Sequence, residues 1–314
     1  MARAIHPSPP NTPSDLSDSA TGLLSLLCLD AHDLATRHGL DTVYFLTREG
    51  ICFQRFFDAF ANGANWQTRS ALFHASRLST FTASLTKDGA QGLQRLLSQY
   101  QAAGWKQVLG SMDAWPPPDD IADIIGQPTK VALSGSALQR AAANDTSIAA
   151  WIDALAKERQ RDLLGYVARH HPGLLMQQDA VLVDIGWRGT IQDNLALAIP
   201  GPRWHGLYFG LFPYLNAQPS NCDKHGILFE NGRSETGPVS GNVMVVEYLF
   251  HAPVGSVVGY REGEPIYTAQ NAGGEEDFSS QFQSKLLAQA ASCGRALADA
   301  AQTFERERLL AVWR

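Results

Sequence analysis

One stretch near the middle of the chain changes its hydrophobic period. Residues 180–183 form a short apolar run that includes β-branched side chains, a pattern that predicts a buried strand. Ile191, Leu195 and Ile199 then recur at the spacing of one helix face, so a helix is predicted to begin after an intervening loop that contains glycine. The stretch therefore predicts a strand, a loop and a helix, in that order.

The same order of strand, loop and helix is predicted again nearer the N-terminus. Residues 42–46 are apolar, and Phe53, Phe56, Phe57 and Phe60 follow them at helical spacing. Other apolar runs predict further strands at residues 71–77, 204–211 and 224–229. This alternation of strands and helices favours an α/β fold, with a mostly parallel open sheet flanked by helices.

Three parts of the chain are predicted to lie outside that alternation. A leader at 1–19 is rich in Pro and Ser and is expected to be disordered. A polar, helical pattern at about 80–170 predicts a helical cap inserted into an α/β domain that spans 20–270. A β-hairpin is predicted over 256–268, and a C-terminal helical extension follows at 271–314.

The composition of the chain restricts its function classes. With 314 residues, 45% hydrophobic and 18% charged, the chain fits a globular protein with a large core. The net charge of −6 and the lack of a basic cluster argue against nucleic acid as a partner. The sequence has no apolar run of membrane-spanning length and no secretion signal, so we expect no membrane span and a cytoplasmic location.

The cysteines and three of the histidines carry no recognisable catalytic motif. The four cysteines are far apart and form no C-x-x-C pair, which argues against a zinc framework or a disulfide staple. His74, His205 and His251 are also well separated in the sequence. Each of them is predicted to make a structural hydrogen bond.

The loop after the central strand is the first candidate site. Asp184 stands at the carboxyl end of the predicted strand, and Arg188, Gly189 and Thr190 lead into the helix. Unpaired N–H groups at a helix N-terminus favour an anion, so the loop is predicted to hold a phosphate, with Arg188 as a bidentate donor. Asp184 would act as a metal ligand or a base. The alternative is an ordinary strand-to-helix turn in which Asp184 caps the helix.

Two further loops place charged residues at predicted strand ends. Arg48 and Glu49 follow one strand, and Arg77 ends another. The loops of a parallel sheet open on one edge, so Arg48, Arg77 and Arg188 are expected to converge on a phosphorylated ligand. Glu49 would join Asp184 as a catalytic residue and metal ligand. The alternative for Arg48 and Glu49 is a local salt bridge that caps the following helix.

Several motifs, taken in order, resemble a module of bacterial proteins. They are YFLTREG at 44–50, ASR at 75–77, VDIGWRGTIQ at 183–192, GLYFG at 206–210 and EYLFHAPVGSVVGY at 247–260. The module occurs in predicted hydrolases of the haloacid dehalogenase superfamily, which often accompany glycosyltransferases of surface-polysaccharide synthesis. The resemblance covers about residues 20–265 and implies an enzyme of phosphoester chemistry.

The chain departs from the chemistry of that superfamily at two points. A haloacid dehalogenase uses an aspartate nucleophile with a second aspartate two residues later, but Gly186 stands two residues after Asp184. The module also usually has Asp where this chain has Glu49. A second resemblance, to phosphoribosyltransferases, implies a pyrophosphate loop at 47–50 and a phosphate loop at 184–190.

Three functions are compatible with these residues. The first is an enzyme, with Mg²⁺ as its cofactor, that acts on a sugar phosphate or nucleotide sugar in surface-polysaccharide synthesis. The second is a non-catalytic accessory module that docks on a glycosyltransferase through Trp105, Trp115 and Trp313. The third is a phosphoribosyltransferase-like transferase. A phosphorylated small molecule is the expected ligand of the first and the third.

Overall fold

A five-stranded, all-parallel sheet forms the centre of the protein, and two antiparallel strands form a separate hairpin. The computed structural model describes residues 13–85, 105–114, 116–125, 146–230, 238–269 and 276–299. The strands are β1 (Thr42–Leu46), β2 (Arg69–Phe73), β3 (Asp179–Trp187), β4 (Arg203–Leu211), β5 (Cys222–Glu230), β6 (Val257–Arg261) and β7 (Glu264–Tyr267). The predicted α/β fold and its hairpin are confirmed.

Helices of very different length surround the sheet. In the described residues they are α1 (Pro13–Arg37), α2 (Gly50–Gly63), α3 (Arg77–Phe81), α4 (Trp105–Gly110), α5 (Asp119–Ile125), α6 (Thr146–His170), α7 (Thr190–Ala198), α8 (Pro238–Gly241), α9 (Val243–Phe250) and α10 (Glu276–Asp299). Short 3₁₀ turns occupy Thr82–Leu85 and Pro172–Leu175. None of the helices described has both the length and the apolar composition that crossing a bilayer requires.

Both faces of the sheet are covered, and the alternation of side chains along β1 shows how. Val43 and Phe45 point into a core shared with α1, α2, α9 and α10. Tyr44 and Leu46 point into a second core shared with α6, α7 and β6. A strand buried on both faces needs apolar residues at every position, which explains the continuous apolar runs of the central strands.

The strand order places a topological switch point between β1 and β3. The order is β2-β1-β3-β4-β5, so the chain adds β2 on one side of β1 and then crosses back to build β3, β4 and β5 on the other. The crossover from β1 to β2 runs through α2 on one face, and that from β3 to β4 runs through α7 on the opposite face. The two crossovers diverge there, and ligands of open parallel sheets bind in the crevice outside such a point.

The N-terminal helix begins earlier than the predicted disordered leader at 1–19 allows. Helix α1 starts at Pro13, a residue that suits the first turn of a helix because its missing N–H group would have no partner there. The hydroxyl of Thr21 donates to the carbonyl oxygen of Ser17 at 2.8 Å, and Ser17 is buried. Serines and threonines in this segment thus bond within the helix. The rest of the predicted leader, 1–12, lies outside the described residues.

Helices α6 and α10 are part of the main core, although they were predicted as a cap and an extension. Leu163, Tyr166 and Val167 of α6 pack on one face of the sheet, so the last helix of the predicted insertion at 80–170 covers a face instead of the sheet edge. Residues of α10 pack on the opposite face with α1 and α2; they are Phe282, Leu286 and Ala290. The remainder of the insertion and residues 300–314 lie partly or wholly outside the described residues.

Helices α2 and α10 approach each other closely at two glycines. A Cβ atom on Gly63 would lie 2.2 Å from the carbonyl oxygen of Ala291, and a Cβ atom on Gly294 would lie 2.1 Å from that of Phe60. Both obstacles are backbone atoms, which cannot rotate away. The two helices can keep this distance only if both positions lack a side chain.

Replacing Gly294 by Ala is therefore expected to destabilise the protein by about 1–3 kcal/mol, the usual cost of overpacking a close contact. Gly165→Ala is the matched control, since Gly165 also lies in a helix but a Cβ atom there meets nothing within 4 Å. The control should gain about 0.5–1 kcal/mol from higher helix propensity. Urea unfolding followed by circular dichroism measures both. Equal effects of the two substitutions would show that the helices can separate at no cost.

Candidate functional site at the switch point

The loops after β1 and β3 lie side by side at the carboxyl edge of the sheet. Strand β1 pairs directly with β3, and α2 begins at Gly50 while α7 begins at Thr190. The predicted common edge for the two loops is therefore present. The peptide bonds Thr47–Arg48 and Gly186–Trp187, one in each segment, are both cis.

Three carboxyl groups gather at this edge. Asp184 and Glu49 are buried, with exposed fractions of 6% and 8%. Glu247 reaches the same place from α9, where it accepts a hydrogen bond of 2.9 Å from the indole N–H of Trp187. The carboxylates of Glu49 and Glu247 act electrostatically on Asp184, and that of Glu247 also acts on Glu49. We call Asp184, Glu49 and Glu247 the carboxyl cluster.

Burial and neighbouring carboxylates raise the pKa of two members of the carboxyl cluster, Asp184 and Glu49. The pKa of Asp184 is raised to about 8, first by burial and then by the nearby carboxylates of Glu49 and Glu247. The pKa of Glu49 is also raised, mainly by burial, although Arg48 opposes the shift. Asp184 Oδ1 accepts one hydrogen bond of 2.8 Å, from the N–H of Ile185. That bond favours the ionised form but does not offset the burial.

A buried hydroxyl and a cation complete the surroundings of the cluster. Thr47 Oγ1 is buried and has no hydrogen-bond partner among the residues that the structure describes. Buried hydroxyl groups rarely stay unpaired, because the loss of water costs free energy that only a partner recovers. Arg48 lies next to it and reaches Glu49 Oε1 only at 3.8 Å. Together with burial, the charge of Arg48 lowers the pKa of His251, which follows α9.

The predicted capping roles of Asp184 and Glu49 do not occur. Helix α7 has Gly189 as its N-cap, in the left-handed conformation with φ of 63°, and no side chain caps it. Glu49 is the N-cap residue of α2, but its side chain makes no capping hydrogen bond. The local salt bridge between Arg48 and Glu49 is present. The carboxyl groups of Asp184 and Glu49 therefore belong to the carboxyl cluster and do not cap the helices.

The three predicted phosphate-binding arginines are spread along the edge. Arg48 is beside the carboxyl cluster, with 38% of its side chain exposed. Arg188 is exposed and turns towards the β4–β5 connection, where its Nε donates to the carbonyl oxygen of Pro213 at 3.3 Å. Arg77 is exposed at the first position of α3, and β2 ends at Phe73, earlier than predicted. Ser76, predicted as a strand end, instead caps α3 by accepting a hydrogen bond from the N–H of Ser79.

A buried lysine lies against the start of α7. Lys224 Nζ donates to Asp193 Oδ1 at 2.6 Å, to Gln218 Oε1 at 2.7 Å and to the carbonyl oxygen of Arg188 at 3.2 Å. Its methylene groups cover Gly189, where a Cβ atom would come within 2.8 Å of them. All three N–H groups of the ammonium are therefore used inside the protein. Lys224 fixes the loop that carries Arg188 and Thr190.

A shallow pocket opens next to that lysine. Its lining includes Arg188, Thr190, Asp193, Tyr214, Asn216 and Gln218. The first turn of α7 borders this pocket. Arg188 and Thr190, two of the residues predicted to bind phosphate, line it, and Gly189 stands between them in the chain. The carboxyl cluster and this pocket are thus two adjacent parts of one edge.

No specific side-chain role was predicted from the sequence for three residues of this edge. Glu247 lies on α9, and nothing in the sequence joined it to Trp187. Thr47 gave no signal beyond a hydroxyl at a strand end. Lys224 was expected to be an ordinary strand residue.

Comparisons with known proteins add no family to this geometry. No model of a known protein family matches the chain, and a search of curated proteins found no matching relative. The fold and the site define the chain as a parallel α/β protein with an acidic site at its switch point. Its function has to be argued from the chemistry of that site.

Proposed function

We propose that the protein is a cytoplasmic phosphoester-handling enzyme, a phosphatase or transferase that acts on a sugar phosphate or nucleotide sugar in surface-polysaccharide synthesis. The carboxyl cluster at the switch point carries the proposal. Packing carboxyl groups together without water destabilises the folded protein, so such a cluster needs a compensating function. The resemblance of the motifs supports the substrate class.

The donor set of the cluster fits Mg²⁺. Asp184, Glu49 and Glu247 offer carboxylate oxygens, which are the hard ligands that Mg²⁺ prefers, and Thr47 Oγ1 is a further buried oxygen without a partner among the described residues. When bound, Mg²⁺ would supply positive charge to the phosphate oxygens of the substrate. The residues that would hold it are Asp184 and Glu49, with Glu247 kept in place by Trp187.

The cations of the edge are arranged for an elongated anionic ligand. The side chain of Arg48 is partly exposed at the rim of the carboxyl cluster. Its 3.8 Å contact with Glu49 is too long to be a hydrogen bond, so this contact does not occupy a guanidinium donor. Arg188 and the first turn of α7, with Gly189 and Thr190, border the adjacent pocket. A ligand with a phosphate or diphosphate between two bulkier groups would extend from the carboxyl cluster to Arg188.

Asp184 is suited to carry a proton in such a reaction. Its pKa of about 8 leaves it protonated at neutral pH, so it can give a proton to the oxygen of a departing group. The second aspartate of haloacid dehalogenase chemistry is absent two residues later, where Gly186 stands. Asp184 would therefore act either as an acid in its protonated form or as a cation ligand in its ionised form, with Glu49 as its partner.

A thermal-shift screen tests the proposal. Sugar phosphates, nucleotide sugars and phosphoribosyl pyrophosphate are added to the protein with and without Mg²⁺. We expect Mg²⁺ alone to raise Tm, and a phosphorylated ligand to raise it further only when Mg²⁺ is present, since a ligand at 100 times its Kd stabilises the folded state by about 2.7 kcal/mol. In Glu49→Gln the affinity should fall at least about tenfold, equivalent to ~1.4 kcal/mol. Glu158→Gln, on the exposed side of α6, is the control and should respond like the wild type.

An accessory module that docks on a glycosyltransferase is the second candidate. Helix α9 exposes Met244, Val245 and Tyr248 next to the carboxyl cluster, with exposed fractions of 79%, 55% and 36%. Exposed apolar groups of this kind mark protein interfaces. The side chains of Trp105, Trp115 and Trp313 lie outside the described residues. Two results together would favour this candidate over the enzyme: no ligand shifts Tm, and Met244→Gln weakens retention on an immobilised glycosyltransferase.

A further inference from the structure

Two histidines and an aspartate meet at the amino end of the sheet, opposite the carboxyl cluster. His38 lies in the turn after α1, Asp179 is the first residue of β3, and His205 is the third residue of β4. These three residues come from three separate segments of the chain. The site proposed for phosphoester chemistry uses none of them.

The ligand atoms of the three residues are close enough to share one ion. His205 Nε2 is 2.7 Å from Asp179 Oδ1, and His38 Nδ1 is 3.4 Å from the same oxygen. One nitrogen from each imidazole and one carboxylate oxygen all lie within 4.8 Å of one another. The two rings also face each other, with centroids 4.0 Å apart. A tetrahedral metal ion with ligands at about 2 Å needs only a small adjustment of such a group.

A second carboxylate lies near the other ring nitrogen of His205. Asp223 Oδ2 is 3.5 Å from His205 Nδ1, the ring nitrogen that faces away from Asp179. Asp223 itself is held by Arg203, whose Nε and Nη2 donate to its two oxygens at 2.7 Å and 3.1 Å. A proton on Nδ1 directed to Asp223 leaves Nε2 with a free lone pair. This chain of carboxylate, imidazole and metal position is the usual support of a histidine ligand.

We propose that His38, Asp179 and His205 form a binding site for a divalent transition-metal ion of the Zn²⁺ class, oriented by Asp223. Imidazole nitrogens select such ions over Mg²⁺, which prefers oxygen. His205 is buried, but 30% of the His38 side chain and 25% of the Asp179 side chain are exposed, so an ion can enter from solvent. Three protein ligands leave one position of a tetrahedral ion for water.

His205, on β4, would have a different role with and without a metal ion. From the sequence, His205 was expected to make a structural hydrogen bond, and without a metal it does so with Asp179. With a metal, the same group would link the end of α1 to β3 and β4. The site differs from the carboxyl cluster in position, donor type and metal preference, so the two assignments can fail independently.

Metal binding by the chelator-treated full chain tests the proposal. Zn²⁺ is titrated in a calorimeter, and Co²⁺ is added in parallel because its visible absorption reports nitrogen ligation in a tetrahedral site. We expect one strong site that Mg²⁺ does not fill. His38→Gln, at a partly exposed position, should weaken Zn²⁺ binding more than about tenfold, and Asp223→Asn about 10–100-fold.

Two control variants test whether Zn²⁺ binds at these three residues and not elsewhere in the protein. His170→Gln removes an imidazole that also pairs with a carboxylate, Glu264 at 3.2 Å, but lies elsewhere, so it should bind Zn²⁺ like the wild type. Asp184→Asn should also keep Zn²⁺ binding, because it alters only the carboxyl cluster. Circular dichroism confirms that each variant is folded. Unchanged affinity in His38→Gln, or no stoichiometric binding by the wild type, would leave a metal-free hydrogen-bond network and overturn the proposal.

Discussion

Replacing Lys224 by Met is expected to destabilise the protein by about 3–5 kcal/mol, the usual effect of removing one partner from a buried ion pair. The side chains of Lys224 and Asp193 are only 2% and 11% exposed, and their 2.6 Å contact neutralises both charges. Without the ammonium group, Asp193 would keep a negative charge in a place that water barely reaches. Gln218 Oε1 and the carbonyl oxygen of Arg188 would lose their donor as well. Urea unfolding at neutral pH measures the effect.

Two further variants decide whether the charge is the cause. The double variant Lys224→Met with Asp193→Asn removes both charges and should recover a large part of the lost stability, because no unpaired ion remains. Lys157→Met breaks an exposed pair with Asp153 of the same 2.6 Å length and should change stability by less than about 1 kcal/mol. If the double variant were as unstable as the single one, the lost hydrogen bonds to Gln218 and to the carbonyl oxygen of Arg188 would be the dominant contribution.

The sequence was sufficient to predict the position of the strands of the sheet and the edge that carries the candidate site. Central parallel strands are buried on both faces, so their apolar runs stand out clearly in the sequence. Charged residues directly after such runs mark the carboxyl edge, and Asp184 and Glu49 do lie together there. The general geometry of parallel sheets therefore carried the prediction of the site's position.

The third carboxyl group and the paths of the arginines could not be predicted in the same way. Glu247 lies on α9, 60 residues after its partner Trp187, and only the folded chain brings the two together. Arg188 follows the loop geometry that Lys224 fixes, so its side chain turns to Pro213 and away from Arg48. Side-chain direction at a loop depends on contacts between distant segments. Sequence spacing holds no information on them.

The predictions for the first and last helices were incomplete for a related reason. Pro- and Ser-rich composition predicted disorder up to residue 19, but α1 begins at Pro13. Within it, Thr21 and Ser25 place their hydroxyls on carbonyl oxygens one turn back, at Ser17 and Thr21. The final helix was predicted as a C-terminal extension at 271–314, and no contact with α2 was predicted for it. It packs against α2 through Gly63 and Gly294, a contact between segments more than two hundred residues apart.

Replacing Asp184 by Asn is expected to stabilise the ligand-free protein at pH 8 and to abolish its response to Mg²⁺. In the folded protein the pKa of Asp184 is raised to about 8, whereas an aspartate in the unfolded chain has a pKa of about 4. Between these values the folded state holds a proton that the unfolded state has lost. The stability linked to this proton is therefore fully present below about pH 4 and falls as the pH rises to about 8.

The asparagine variant lacks this titration but keeps an oxygen that can accept the hydrogen bond from the N–H of Ile185. Its unfolding free energy should thus depend less on pH than that of the wild type and exceed it at pH 8 by an amount on the order of a few kcal/mol. Mg²⁺ should stabilise only the wild type, and more strongly at pH 8 than at pH 6, since cation binding needs the ionised carboxylate.

Urea unfolding at pH 5, 6, 7 and 8, with and without Mg²⁺, measures both effects. Asp153→Asn, which alters an exposed carboxylate on α6, is the control and should follow the wild type at every pH. If Asp184→Asn and the wild type had the same pH dependence, the Asp184 carboxyl group would not hold its proton at neutral pH. If Mg²⁺ stabilised both proteins equally, the ion would bind outside the carboxyl cluster. A stabilised but unresponsive variant would show that this carboxyl group lowers stability because it serves a ligand.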